Sequence, residues 1–101
     1  MAEFKTFAHV GDIPEGTAKV GNLGNKNVAI FHHQGQFYAI DDMCMHMGAS
    51  LAAGEVENCV VACTWHGWQF SIKDGTWVNS PKLKTVSYNV RVQGEEVQLE
   101  V

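Results

Sequence analysis

With 101 residues the chain has material for one hydrophobic core, and 46% hydrophobic against 18% charged residues describes a folded globular protein, not a disordered segment. Seven Lys and Arg against eleven Asp and Glu leave a net charge of -4 without any basic cluster, which excludes nucleic-acid binding as a function class. Met1–Lys5 lacks a charged-then-apolar start and no apolar run approaches the ~18 residues of a membrane span, so the reading is a soluble, cytoplasmic protein with no membrane partner.

Along the chain, Asn22-Leu23-Gly24-Asn25-Lys26 is a turn signal. Val28–Phe31 and Phe37–Ile40 then flank the polar stretch His32–Gln36, predicting a hairpin whose turn contains both histidines. From Met43 to Gly54 the pattern lapses into a long loop rich in Met, Gly and Ala, and such a loop inside a small domain is usually functional. Val60–Ala62 reads as a short strand, and Lys73–Thr76 as a turn between Phe70 and Trp77. Alternation through Val86, Tyr88, Val90 and Val92, and again through Val97, Leu99 and Val101, predicts two half-buried strands. Gly94-Glu95 turns between them, making residues 84–101 a closing hairpin. No stretch has helical spacing. The fold expected is all-β, a small antiparallel β-sandwich or barrel, with residues 1–101 forming one domain and no linker or repeat.

Two short motifs carry the chemistry. Cys44-Met45-His46 and Cys63-Thr64-Trp65-His66 each place a thiol and an imidazole within a few residues, with sixteen residues between them. A hairpin between the motifs returns the second beside the first, and Gly48 and Gly67 permit close backbone approach to a bound centre. Three cysteines, an odd number, favour reduced thiols and metal ligation over a disulfide framework. Tetrahedral zinc is also satisfied by two Cys and two His, which would make the chain a zinc-stabilised interaction module. The mixed Cys/His pairs are, however, unlike the spacing of common zinc fingers. A Cys-His nucleophilic pair is the weaker reading, since no carboxylate or amide partner stands out. Cys59 reads as a small hydrophobe in or near a strand, and His9, His32 and His33 as non-ligands. Trp65 and Trp68 bracket His66, packing against the core or shielding a metal from water. Met43, Met45 and Met47 alternate on one side of an extended segment, filling gaps or forming an adaptable contact surface.

The pattern Cys-x-His followed after such an interval by Cys-x-x-His resembles the two cluster-binding loops of the Rieske ferredoxins. The resemblance spans essentially the whole chain, and Asp74-Gly75 followed by Pro81 looks like the family's third, proline-containing loop. It implies a Rieske-like antiparallel β-fold with a two-loop cluster-binding subdomain at about residues 43–81. It implies one 2Fe-2S cluster, with Cys44 and Cys63 on one iron and His46 and His66 on the other. Met45 stands where the family often has Thr or Pro, and Thr64 where it usually has Pro, without affecting a ligand. Where high-potential relatives carry a Ser and a Tyr this chain has Trp68 and Phe70, and Ala49 and Trp65 replace their loop disulfide. Fewer donors to the sulfurs imply a potential in the lower half of the class range of roughly -150 to +300 mV.

The resemblance further implies a monomeric electron carrier, not itself an enzyme. Its transient partners would be a flavin-dependent NAD(P)H reductase and a terminal oxygenase such as an aromatic-ring dioxygenase. The small subunit of an NAD(P)H-dependent nitrite reductase is the neighbouring alternative within the same fold.

Overall fold

The computed structural model describes residues 3–23, 26–42, 50–63, 68–78 and 80–100. Its centre is explained by one run of sequence. Val28, Ala29, Ile30 and Phe31 are consecutive and all essentially inaccessible to solvent, which a strand achieves only when both of its faces are covered. They lie in β3 (Lys26–His33), the middle of an antiparallel sheet with β2 (Ala18–Leu23) on one side and β4 (Gln36–Asp41) on the other. Ala29 and Phe31 join Ile40 on one face, while Val28 and Ile30 join Ala39 on the other. Register agrees with this division, pairing Ala29 with Ile40 and Ile30 with Ala39.

Each face meets another sheet. Val28, Ile30 and Ala39 pack with Ala8, Ile13, Val97 and Leu99, contributed in part by β1 (Phe4–His9) and β12 (Glu96–Glu100). These strands and β11 (Val90–Gln93) form a three-stranded sheet in the order β1-β12-β11. The opposite face packs on Leu51, Val61, Cys63, Phe70 and Ile72, which belong to or adjoin a five-stranded antiparallel sheet. That sheet runs in chain order through β5 (Glu55–Glu57), β6 (Val60–Ala62), β7 (Gln69–Ser71), β8 (Thr76–Trp77) and β9 (Ser80–Lys84). The remaining strand, β10 (Ser87–Tyr88), pairs with β4 at the edge of the central sheet. Single 3-10 turns at Val10–Asp12 and Leu51–Ala53 are the nearest approach to helix among the described residues. The all-β antiparallel expectation holds.

Several local expectations change. The hairpin turn expected over His32–Gln36 shrinks to Gln34-Gly35, both at positive φ (52° and 76°), because the two histidines have partners that hold them in β3. His32 stacks on Phe37 at 4.1 Å between ring centroids and its Nδ1 lies 2.7 Å from the Ile13 carbonyl oxygen. His33 Nε2 accepts the Cys59 N–H at 3.2 Å. That bond ties the β5–β6 turn, where Asn58 and Cys59 both have positive φ, to the central sheet. Cys59 is accordingly a half-buried turn residue against the core.

The closing hairpin is also shorter than expected. β10 pairs with β4, whereas β11 and β12 form the hairpin, joined through Gly94-Glu95. The chain therefore changes sheets near Asn89, and Val86 and Val92 of the alternating set are exposed while Val97 and Leu99 are buried. Pro81 falls within β9.

Glu15 closes the Gln34-Gly35 turn, its two carboxylate oxygens accepting the Gln34 and Gly35 N–H groups at 2.7 Å each. The Gly35 and then the Gln34 bond hold its carboxyl below the ordinary value, with nearby His32 adding to the effect. A carboxyl depressed in the folded state contributes stability above its unfolded pKa, and that contribution disappears as pH falls through the folded value. Glu15→Gln should therefore flatten the loss of stability between about pH 5 and 3, measured by urea unfolding across that range.

Candidate metal centre

Strand alternation decides where Cys63 points. Val61 and Cys63 are two apart, both buried, and both belong to the core shared with the central sheet, while Val60 and Ala62 remain half-exposed. Cys63 follows the last residue of β6 directly. Its N–H donates to the Trp68 carbonyl at 2.6 Å, closing the connection to β7 at its base. Next along the chain, Phe70 pairs with Val61 across the β6–β7 ladder and with Trp77 across β7–β8.

Trp68 and Trp77 are stacked face to face, 4.1 Å between centroids and 7° from parallel, and both pack against the core. Trp68 therefore buttresses the end of the second motif through aromatic contact with the neighbouring strand. Asp74 orders the preceding turn, accepting both the backbone N–H and the hydroxyl of Thr76 at 3.0 and 2.7 Å. Gly75 is required there. It has φ +78°, and a β-carbon would lie 2.6 Å from the Thr85 carbonyl oxygen.

The flanks of the first motif are held from the central sheet. Asp41 Oδ1 accepts the Tyr88 hydroxyl at 2.5 Å; burial, and then this bond, push the phenol's pKa upward. Asp42, only 6% exposed, donates its N–H to the Asn27 carbonyl at 2.9 Å. Its own carbonyl accepts the Leu51 N–H at 2.6 Å. Residues 42 and 50–52 are thus fastened together around the seven residues between them.

The chain then passes through Gly54, which lies directly against the Ala62 carbonyl, one residue before Cys63. The carboxy-terminal flank of the first motif consequently meets the amino-terminal flank of the second. Of the expected ligands, Cys63 is described; Cys44, His46 and His66 lie outside the described residues, as do Met43, Met45, Met47, Ala49, Thr64 and Trp65. What is described fits a metal-sulfur centre: a buried thiol at a strand end, apolar and aromatic surroundings, and the two motif flanks in contact. Asp42, Gly54 and Trp77 are the supporting residues that sequence reasoning missed. Trp77 has a legible signal, an aromatic directly after a turn, whereas the roles of Asp42 and Gly54 depend on tertiary neighbours.

Comparison with known proteins agrees with this geometry. The sequence matches the Rieske [2Fe-2S] domain over residues 3–93. It is 32% identical over 96 residues to the ferredoxin component of the alkene monooxygenase system of Xanthobacter autotrophicus, covering 94% of this chain and 79% of that one. It is 34% identical over 94 residues to the ferredoxin subunit of 3-phenylpropionate/cinnamic acid dioxygenase from Shigella flexneri, covering 91% and 88%. Among solved structures, a chain in the complex of reduced oxygenase and oxidized ferredoxin in carbazole 1,9a-dioxygenase superposes with a TM-score of 0.85. That chain is 28% identical, with 96% of this chain and 92% of the other covered.

Proposed function

Because the chain belongs to the Rieske [2Fe-2S] domain family, we propose that Cys44 and Cys63 hold one iron of its cluster and His46 and His66 the other. The cluster belongs with the family and, when bound, supplies a one-electron couple. The observation that carries the ligand reading is the contact of Gly54 with Ala62, which joins the flanks of two motifs separated in sequence. Residues 1–101 are read as one domain, with the cluster-binding part at about 43–81.

This chain's residues contribute a rigid holder. The Asp42 fastening and the Cys63-to-Trp68 bond close the connections that bear the ligands, and the Trp68–Trp77 stack backs the second. A holder that changes little between oxidation states keeps the energetic cost of electron transfer small. The protein is an electron carrier of the ferredoxin kind. We read it as passing single electrons from a flavin-dependent NAD(P)H reductase to a terminal oxygenase such as an aromatic-ring dioxygenase. The oxygenase is supported by the names of the ferredoxin relatives and by the ferredoxin–oxygenase complex. A carrier that must leave one partner to reach the next fits transient contacts and a monomer in the cytoplasm. No helix among the described residues is long and apolar enough to cross a membrane.

Anaerobically purified protein should be coloured and should contain iron and acid-labile sulfide in the 2:2 ratio per chain of a 2Fe-2S centre. After dithionite reduction it should give an EPR signal with average g below 2. Colourless protein carrying stoichiometric zinc would overturn the reading.

A further inference from the structure

Asp42 sits where the central sheet ends and the first motif begins, and it is almost wholly buried. Its Oδ1 accepts the Ser50 hydroxyl at 2.8 Å and the Ala52 N–H at 2.9 Å. Ser50 is the residue that precedes the Leu51–Ala53 turn, the place from which a serine ordinarily caps its own turn by accepting a backbone N–H. Here it makes no such cap. Its hydroxyl is donated backward to Asp42, and Asp42 takes over the cap from the other end of the intervening segment. With the Leu51 N–H on the Asp42 carbonyl, three hydrogen bonds join the two ends of residues 43–49. A local cap would have served the turn alone and left only the backbone bond from Leu51 to join those ends.

We propose that Asp42 is a positioning residue for the cluster: its carboxylate locks the base of the Cys44/His46 segment, and its fixed negative charge lowers the reduction potential. This rests on the assignment of Cys44 and His46 as ligands. The two roles are separable by substitution. Asparagine keeps an acceptor oxygen for Ser50 and Ala52 while removing the charge; alanine removes both. A negative charge at the root of a ligand segment disfavours an added electron, so neutralising it raises the potential.

The test uses the full chain with its cluster, following cluster loss to an iron chelator by visible absorbance and the midpoint by spectroelectrochemical titration. Asp42→Ala should lose the cluster about tenfold faster than the parent, the scale expected when buried donors lose their acceptor. Asp42→Asn should stay within about twofold of the parent in that rate, yet show a higher midpoint. Ser50→Ala, which deletes one donor and leaves the carboxylate, should lose the cluster about threefold faster and serves if Asp42→Ala does not fold. Parental retention in Asp42→Ala, or in Ser50→Ala if the former does not fold, would overturn the locking role. An unchanged or lower midpoint in Asp42→Asn would overturn the electrostatic one. A parent protein that takes up no iron would instead sink the ligand assignment on which the proposal rests.

Discussion

Exchanging His46 for cysteine should lower the midpoint potential by about 125 to 350 mV while leaving a cluster in place. The expectation follows from counting charge. Two ferric ions, two sulfides and two thiolates sum to zero when the other two ligands are neutral imidazoles, whereas each imidazole replaced by a thiolate adds one negative charge. An electron arriving at a more negative centre is held less tightly. Four-cysteine clusters near -400 mV and Rieske clusters at roughly -150 to +300 mV differ by two such exchanges, so one exchange is expected to cover about half the gap. Visible-region spectroelectrochemistry on the variant and its parent measures the shift directly, and EPR shows whether a cluster is retained. An unchanged or higher potential would remove His46 from the ligand set or defeat the charge account. The parent value supplies a second check: with Trp68 and Phe70 bringing no hydroxyl to a sulfur, it is expected in the lower half of the Rieske range.

The chemistry was legible in sequence because it resides in residue identity and spacing: Cys44-Met45-His46 and Cys63-Thr64-Trp65-His66 are strings that need no coordinates. The central strands were legible for a related reason, since a continuous Val28–Phe31 run has few uses other than burial. Less of the remainder was visible. Alternation placed Val86 and Val92 with Val97 and Leu99, yet Val86 precedes the switch of sheets near Asn89 and Val92 lies on the edge strand β11, and both are exposed. Periodicity records which residues share a face, and burial depends on what packs against that face. His32 and His33 resembled turn residues because polar side chains favour turns, until Ile13, Phe37 and Cys59 supplied them with partners in a strand. The scaffold of the site was least visible. Asp42 looks like any loop aspartate until Ser50 and Ala52 are seen to donate to it.

Gly54 belongs to the same concealed scaffold, and Gly54→Ala is expected to destabilise the protein by about 2 to 4 kcal/mol, out of proportion to the methyl group added. Conformational freedom is not the reason, because φ of -81° and ψ of 167° are open to alanine. Space is the reason. A β-carbon at this position would stand far inside van der Waals contact of the Ala62 carbonyl oxygen and 3.0 Å from Val61 Cγ2. Neither neighbour can yield cheaply: Ala62 is paired with both Glu55 and Gln69, and Val61 is wholly buried beneath them. The chain on the other side is held as well, by the Gly54 N–H on the Leu51 carbonyl and by Asp42 behind it. Relief therefore requires either parting β5 from β6 or lifting the Leu51–Ala53 turn off the core, and both separate the flanks of the two motifs. The variant should melt about 8 to 32 °C below the parent by circular dichroism, taking about 4 to 8 °C per kcal/mol for a domain of this size. It should also release iron faster than the parent at temperatures where both remain folded, since the displaced contact lies one residue from Cys63. Gly11→Ala, at a site where a β-carbon meets nothing within 4 Å, supplies the control for the cost of the methyl group alone. A Gly54→Ala protein as stable as that control would show that the two flanks are not clamped together.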